Sequence, residues 1–465
     1  MRLDPPLHSV VQVPDLRFGA APTIDPAPGI DPAGDAKALI SSRTRSPAQE
    51  AIPGTIVYYR EDSGRRHFLR LPDVWNGSLV VAGTPATRSE FANDAIWSDF
   101  ALARGYAFAS SNKGIRFNVI LEAADETASP RSVYPIPFGA PGFEDGTKVL
   151  RFGVLDPRAI RIEEWNEDFR HLIEFARDVL RLRRDALPHR TYAVGLSNGG
   201  AQVRAALERF PELLDGGVEY AGVRWTPERS FLDILPPFLA AMPAYIQSGF
   251  TDPVAKRTIE GLGFPADVLQ PENVAHPSLW CDWYSNAPPF YNDLMMFVYP
   301  LLIDPEASAY LGEAPVLPNA EDPRRLPGVV SGKGLVRPEF RAAYVPSRRA
   351  REAIRAFAHS GGIERPLISL AGTKDVLITP EFHAIGYAKS VADAGRAHLH
   401  RLYLVENGTH VDTFADFGYG LQAQLPFAWA AFDELVRTVE MGDLRGVGTT
   451  KRVVSPTEIG SGVGA

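Results

Sequence analysis

TYAVGLSNGGAQVRAALERF, residues Thr191 to Phe210, sets one serine between glycines, after an apolar strand-like run and before a helix-like run. Within it, Gly195-Leu196-Ser197-Asn198-Gly199 has the G-x-S-x-G spacing of a sharp strand-to-helix turn that holds a serine hydroxyl clear of a sheet. Side chains two residues before and two residues after such a serine collide, so both positions must be small. Gly200 then lets the helix pack closely on its strand. The unpaired N–H groups of the helix's first turn face any anion that forms beside Ser197. A serine hydroxyl is a poor nucleophile until a base takes its proton, so the turn is a site only if the chain supplies a histidine and a carboxylate nearby.

Working outward, TIVYYR and HFLRLP alternate like antiparallel strands, and SLVVAG (Ser78 to Gly83) is a continuous apolar run suited to a strand covered on both faces. EFANDAIWSDFALARG has apolar residues at helical spacing and ends at Gly105; YAFASS is a second buried strand. The spacing predicts a long amphipathic helix over Glu163 to Asp185, with RLRRD at its C-terminal end. GGVEYAG, PLISLAG and HLHRLYLVE read as further strands, with helices around Ala384 to Ala394 and from Phe427 to Glu440. Strands alternating with helices predict an α/β fold, a mostly parallel sheet flanked by helices.

The acid and the base are expected at the carboxyl ends of strands, the edge that holds Ser197. PLISLAGTKDVLITP places Asp375 just after a buried strand, on a turn opened by Gly372. LYLVENGTHVD places His410 just after the last long strand, beyond Gly408. The chain order is then Ser197, Asp375, His410. Asp252, in SGFTDPV, is the alternative acid. Asp412 reads as a turn cap, His398 and His400 as packed or outward strand residues, His171 and His383 as helical. His189 precedes the serine strand at the wrong end. For an oxyanion, the expected donors are the N–H of Asn198 and one from the loop Gly83-Thr84-Pro85-Ala86; Pro85 has none, which leaves Thr84.

The regular alternation breaks between residues 223 and 362, which are rich in proline and aromatics. So long a stretch is not an ordinary loop and predicts an inserted lid subdomain over the strand ends. Its Trp225, Phe231, Trp280, Trp283, Tyr284, Phe290 and Tyr291 either line an apolar cleft or form the insertion's own core. Residues 1–50 read as an extended N-terminal arm lying on the surface, 51–222 and 363–445 as the core, and 446–465 as a flexible tail. Lys113, in SSNKG, reads as a solvated turn lysine, with contact to an acidic substrate end as the alternative.

Composition limits the function classes. The 465 residues carry 48 basic and 56 acidic side chains, a formal charge of −8, without a long basic block, so no nucleic-acid partner is expected. No run of 18 apolar residues predicts a membrane span, and the proline-interrupted N-terminus does not read as a secretory leader. The one cysteine, Cys281, excludes an internal disulfide and reads as a packed thiol; a cytoplasmic location is expected, or a secreted one if a leader has been removed. No metal-ligand or nucleotide motif stands out, and no cofactor is expected.

Taken together, the elbow, the late Asp375 and the terminal His410 resemble the α/β-hydrolase superfamily over residues 55 to 440. ALARGYAFASSNKG followed by GLSNGGAQVRAALE is similar to 3-hydroxybutyrate oligomer hydrolases, and the tannase and feruloyl esterase group also looks related. That group places a cysteine before its nucleophile, where this chain has Leu196. The resemblance implies a serine esterase acting through an acyl-enzyme on hydroxyacid, polyester-type or other apolar esters. An amidase or peptidase, an acyltransferase, and a non-catalytic hydrolase-like binding protein are the alternatives.

Overall fold

Short runs rich in branched, aromatic and small apolar residues form the strands of the main sheet. The structure, a computed structural model, describes residues 9–24, 26, 32–37, 39–61, 64–114, 119–123, 134–135, 148–152, 162–264, 299, 303, 344–417, 420–442 and 449–460. The strands are β1 (Ser9–Val13), β2 (Gly54–Arg60), β3 (Arg66–Pro72), β4 (Ser78–Gly83), β5 (Ala107–Ser111), β6 (Val119–Ala123), β7 (Tyr134–Pro135), β8 (Lys148–Phe152), β9 (Arg190–Leu196), β10 (Gly216–Tyr220), β11 (Leu367–Gly372), β12 (His400–Val405) and β13 (Thr450–Val453). Ten of them form one sheet in the order β1-β2-β3-β5-β4-β9-β10-β11-β12-β13. The pairs β1–β2, β2–β3 and β3–β5 are antiparallel, and every later pair is parallel. A small antiparallel sheet, β6-β8-β7, stands apart and was not expected from the pattern.

The helices are α1 (Pro32–Lys37), α2 (Asp99–Leu102), α3 (Trp165–Arg184), α4 (Asn198–Arg209), α5 (Phe231–Gln247), α6 (Pro253–Gly261), α7 (Arg348–Phe357), α8 (Gly386–Asp393) and α9 (Leu425–Met441). Period-2 burial explains the two-sided covering. In β4, Leu79 and Val81 pack among Phe169, Leu172, Ile173 and Ala176 of α3, while Val80 and Ala82 pack on the opposite face with Phe100 and Phe432. The sheet therefore needs helices on both sides, and each fully buried Leu, Ile or Phe adds roughly 1.5–3 kcal/mol. α3 ends as read, with Arg181, Arg183 and Arg184 in its last turn and Asp185 left-handed at φ 51°. The helix expected around residues 90–105 is shorter: a π-turn (Asp94–Ser98) leads into α2. Its polar residues bond elsewhere, Asp94 accepting from Arg70 at 2.6 Å and Asp99 from the Phe18 N–H at 2.8 Å.

Both chain ends add an edge strand to the sheet. The arm adds β1 to the sheet edge, and Val13, Leu16 and Leu39 join the core face that holds α9. In the tail, residues 450–453 pair with β12, so the sheet gains a parallel edge strand where a flexible end was expected. Within the insertion, α5 and α6 leave β10, and α7 precedes the return to β11. Trp280, Cys281, Trp283, Tyr284, Phe290 and Tyr291 lie outside the described residues.

Candidate active site

The serine turn is as tight as its glycines imply. Ser197 sits at φ 58°, ψ −120°, a conformation that costs a residue with a Cβ about 1–3 kcal/mol. Surrounding contacts hold it there: its N–H donates to Tyr220 O at 3.1 Å, and its carbonyl accepts from Ala201 at 3.0 Å and Val223 at 3.1 Å. Gly83, Gly195 and Gly199 touch backbone to backbone. A Cβ on Gly195 would lie 2.3 Å from the Gly199 carbonyl carbon, and one on Gly199 would lie 2.2 Å from Gly83 O. That contact draws the loop after β4 against the start of α4, beside Ser197.

A second glycine contact joins the other two candidate loops. A Cβ on Gly372 would lie 2.3 Å from the Gly408 carbonyl, so the turn after β11 and the loop after β12 can meet. Lys374 N donates to Gly408 O at 2.9 Å and Asn407 N to Thr373 Oγ1 at 2.9 Å. Across this seam His410 Nδ1 lies 2.8 Å from Asp375 Oδ2. Asp375 is fully buried, and its Oδ1 accepts from the N–H groups of Leu377 at 2.9 Å and Ile378 at 2.8 Å. Asp252, the alternative acid, instead caps α6 by accepting from Val254 and Ala255. Ser197 and His410 line one pocket with Leu39, Pro85, Ala86, Arg88, Leu196, Asn198, Val223, Trp225, Phe231, Tyr299, Leu377, Ile378 and Val411.

Other histidines are engaged elsewhere. His400 bonds Ser369 Oγ at 2.9 Å, and His359 spans Trp225 N and Ala201 O; burial pushes them down to about 3 and about 4. His383 accepts from Arg224 N at 2.9 Å, and burial pushes it well down too. These rings are neutral fixtures of the core.

The N–H of Thr84, the expected second oxyanion donor, already has a partner. Thr84 N–H points to Gln202 Oε1 at 3.2 Å, and Thr84 is fully buried outside the pocket wall. Gln202 also donates to Trp165 O at 2.8 Å, so its amide fastens the loop after β4 to the start of α3. Asn198 does line the pocket; its side-chain amide donates to the Tyr299 hydroxyl, and its Oδ1 is buried with no partner among the described residues.

Lys113 is neither solvated nor placed for a substrate. It is fully buried at φ 56°, its ammonium donates to Thr84 O and Ala86 O, and it sits 4.5 Å over the Trp165 ring. Burial pushes its ammonium well down, against the opposing pull of Asp168. Neither Lys113 nor Gln202 was expected in this role; their only sequence signal was closeness to the strand ends.

Asp412 fastens the histidine loop. It is buried and accepts from Gln424 N at 2.7 Å and Leu425 N at 2.9 Å, capping α9 from a distant loop. Burial pushes it up to about 7, assisted by Asp416 and opposed by the two N–H groups. The folded chain then holds this proton more tightly than the unfolded one, whose aspartate titrates near about 3.9. The contribution to stability is present below that value and is lost as pH rises through about 7. The expected outcome for Asp412→Asn is a Tm that gains on the unaltered protein between pH 5 and pH 8, read by thermal melts along that series.

Among the described residues, no helix is long and apolar enough to cross a membrane, and no group of three His, Cys, Asp or Glu is placed to hold a metal ion. No family model matches the chain, and no curated protein matches it. Solved structures similar to it include feruloyl esterase B from Aspergillus oryzae, at 14% identity over 94% of this chain and 87% of that one, with a TM-score of 0.42. Others are a tannin acyl hydrolase from Aspergillus niger (11%, 87% and 82%, TM-score 0.43) and a rice cell wall degrading esterase from Xanthomonas oryzae (11%, 84% and 92%, TM-score 0.40). The order of the ten strands, with β9 running into a strained serine turn and α4, makes this an α/β-hydrolase fold.

Proposed function

We propose that the protein is a carboxylic ester hydrolase in which Ser197, His410 and Asp375 work as a triad through an acyl-enzyme. What supports this reading most is the 2.8 Å His410–Asp375 hydrogen bond at a pocket that also holds Ser197 in its strained turn. His410 Nε2 takes the Ser197 proton as Oγ attacks the ester carbonyl. The Asn198 N–H, at the start of α4, stabilises the oxyanion. The second donor in this reading is Ala86 N–H, the first past Pro85, in place of Thr84. His410 then protonates the leaving alcohol, and water, activated by the same ring, releases the acid and restores the serine.

The pocket wall is apolar apart from Arg88, Asn198, Tyr299 and the reacting groups, which suits hydroxyacid, polyester-type or other apolar esters. In this reading the insertion acts as the lid: Trp225, Phe231 and Tyr299 from it line the cleft. The test is a panel of nitrophenyl esters, hydroxybutyrate dimers and trimers, and aromatic polyester fragments, with mass spectrometry after organophosphonate treatment. Ester turnover with one phosphonate on Ser197 is expected. Label on another residue, or turnover that survives the label, would contradict it.

Lys113 follows from the same reading. Its ammonium fixes the carbonyls of Thr84 and Ala86, which orient the loop that carries the second donor. A misplacement of about 1 Å at a reacting centre costs up to about 100-fold. Lys113→Met is therefore expected to lower kcat about 10- to 100-fold with a smaller change in KM. Steady-state kinetics on a short ester checks this, and equal effects on both constants would count against it.

A further inference from the structure

The N-terminal arm reaches the pocket between two tethers. On one side Asp35 accepts from Arg88 Nη1 at 2.8 Å and from Ser89 N at 3.0 Å, and the Ser89 hydroxyl also donates to it. This binds the arm to the loop after β4. On the other side Asp412 N donates to Leu39 O at 3.2 Å, and Thr413 Oγ1 to Ile40 O at 3.1 Å. Ser42 N donates to Asp416 Oδ2 at 2.6 Å, and the Ser41 hydroxyl to Oδ1 of the same carboxylate. This binds the arm to the loop that carries His410. The two loops leave β4 and β12, separated in the sheet by β9, β10 and β11. The arm therefore bridges the strand ends above the serine strand.

Between the tethers lies Leu39, buried, one of the residues that line the pocket with His410 and Val411. A polar bridge alone needs no leucine here. An apolar residue lining the pocket that also holds Ser197 and His410, anchored on both flanks, limits how long a group can enter. We propose that Leu39 is a specificity-determining residue, carried by the arm, which sets the length of the substrate group that the pocket accepts. This rests on the serine hydrolase reading.

The test is kcat/KM along nitrophenyl esters from acetate to dodecanoate, on the full chain. One missing or added hydrophobic segment in such a pocket is worth about 10- to 200-fold between competing substrates. Leu39→Ala is expected to raise the octanoate-to-acetate ratio about tenfold, and Leu39→Phe to lower it by a similar factor. Asp416→Ala frees the Ser41 and Ser42 end of the arm and shifts the ratio in the direction of Leu39→Ala, by less. Should Leu39→Ala unfold, Leu39→Val carries the same sign with a smaller shift. Ratios that do not move in folded, active variants overturn the assignment, as does a uniform loss across the series, which marks Leu39 as a packing residue only. Absence of Ser197-dependent hydrolysis in the unaltered chain overturns the functional reading instead, so the two failures are told apart.

Discussion

Ser197→Ala is expected to lower kcat for ester hydrolysis by about 10⁵- to 10⁶-fold, the loss typical when a triad nucleophile is removed, and to leave the fold intact. The hydroxyl makes no capping bond at the start of α4, and the backbone bonds that hold the turn come from N–H and C=O groups that alanine retains. Kinetics on a short nitrophenyl ester, with thermal melts of both proteins, checks both halves of the expectation. Hydrolysis above about one per cent of the unaltered rate, in a preparation free of contaminating enzyme, would remove Ser197 from the mechanism. Ser197→Gly separates strain from chemistry. Glycine is at ease at φ 58°, so this variant should be equally inactive yet gain about 1 kcal/mol in stability. A turn held in a costly conformation is what a nucleophile needs and what a plain connector avoids.

Asp375→Asn is the second large effect, a fall in kcat of about 10⁴-fold with the fold retained. The carboxylate has two separate tasks. Oδ1 accepts from Leu377 and Ile378, and Oδ2 receives His410 Nδ1. An asparagine keeps its carbonyl oxygen for the two backbone donors and turns its NH₂ toward the ring. His410 must then carry its proton on Nε2, where the base has to be unprotonated to take one from serine. Binding is little disturbed, so KM should change far less than kcat. Asp252→Asn is the matched control. That residue caps α6 on the insertion and should leave kcat within about twofold, since exchanging Asp for Asn at a cap is a small change. A comparable loss from Asp252→Asn, with Asp375→Asn active, would reverse the assignment of the acid.

These expectations draw unequally on sequence and structure. The strand–helix alternation was legible because buried strands of a two-sided sheet must be mainly apolar, as Ser78–Gly83 and Leu367–Gly372 are. The serine turn was legible because its glycines are a local steric demand, met within five residues. Asp375 and His410 stood out because each follows a strand end and a glycine, and those glycines prove to be the point where their loops touch. The small sheet β6-β8-β7, the pairing of β13 and the brevity of α2 were not legible, since each depends on partners far along the chain.

From its sequence alone this chain determined an α/β sheet, a strained serine at the end of its central strand, and an acid and a histidine at the same edge. Only the tertiary structure decided that Gln202 occupies the Thr84 N–H, that Lys113 is buried under the loop after β4, and that Leu39 of the arm completes the pocket wall. Periodicity and glycine sterics act over a few residues and are written in local order. Which backbone group meets which side chain across loops from β4, β5, β12 and the arm is set by how the layers pack, and no local pattern encodes it.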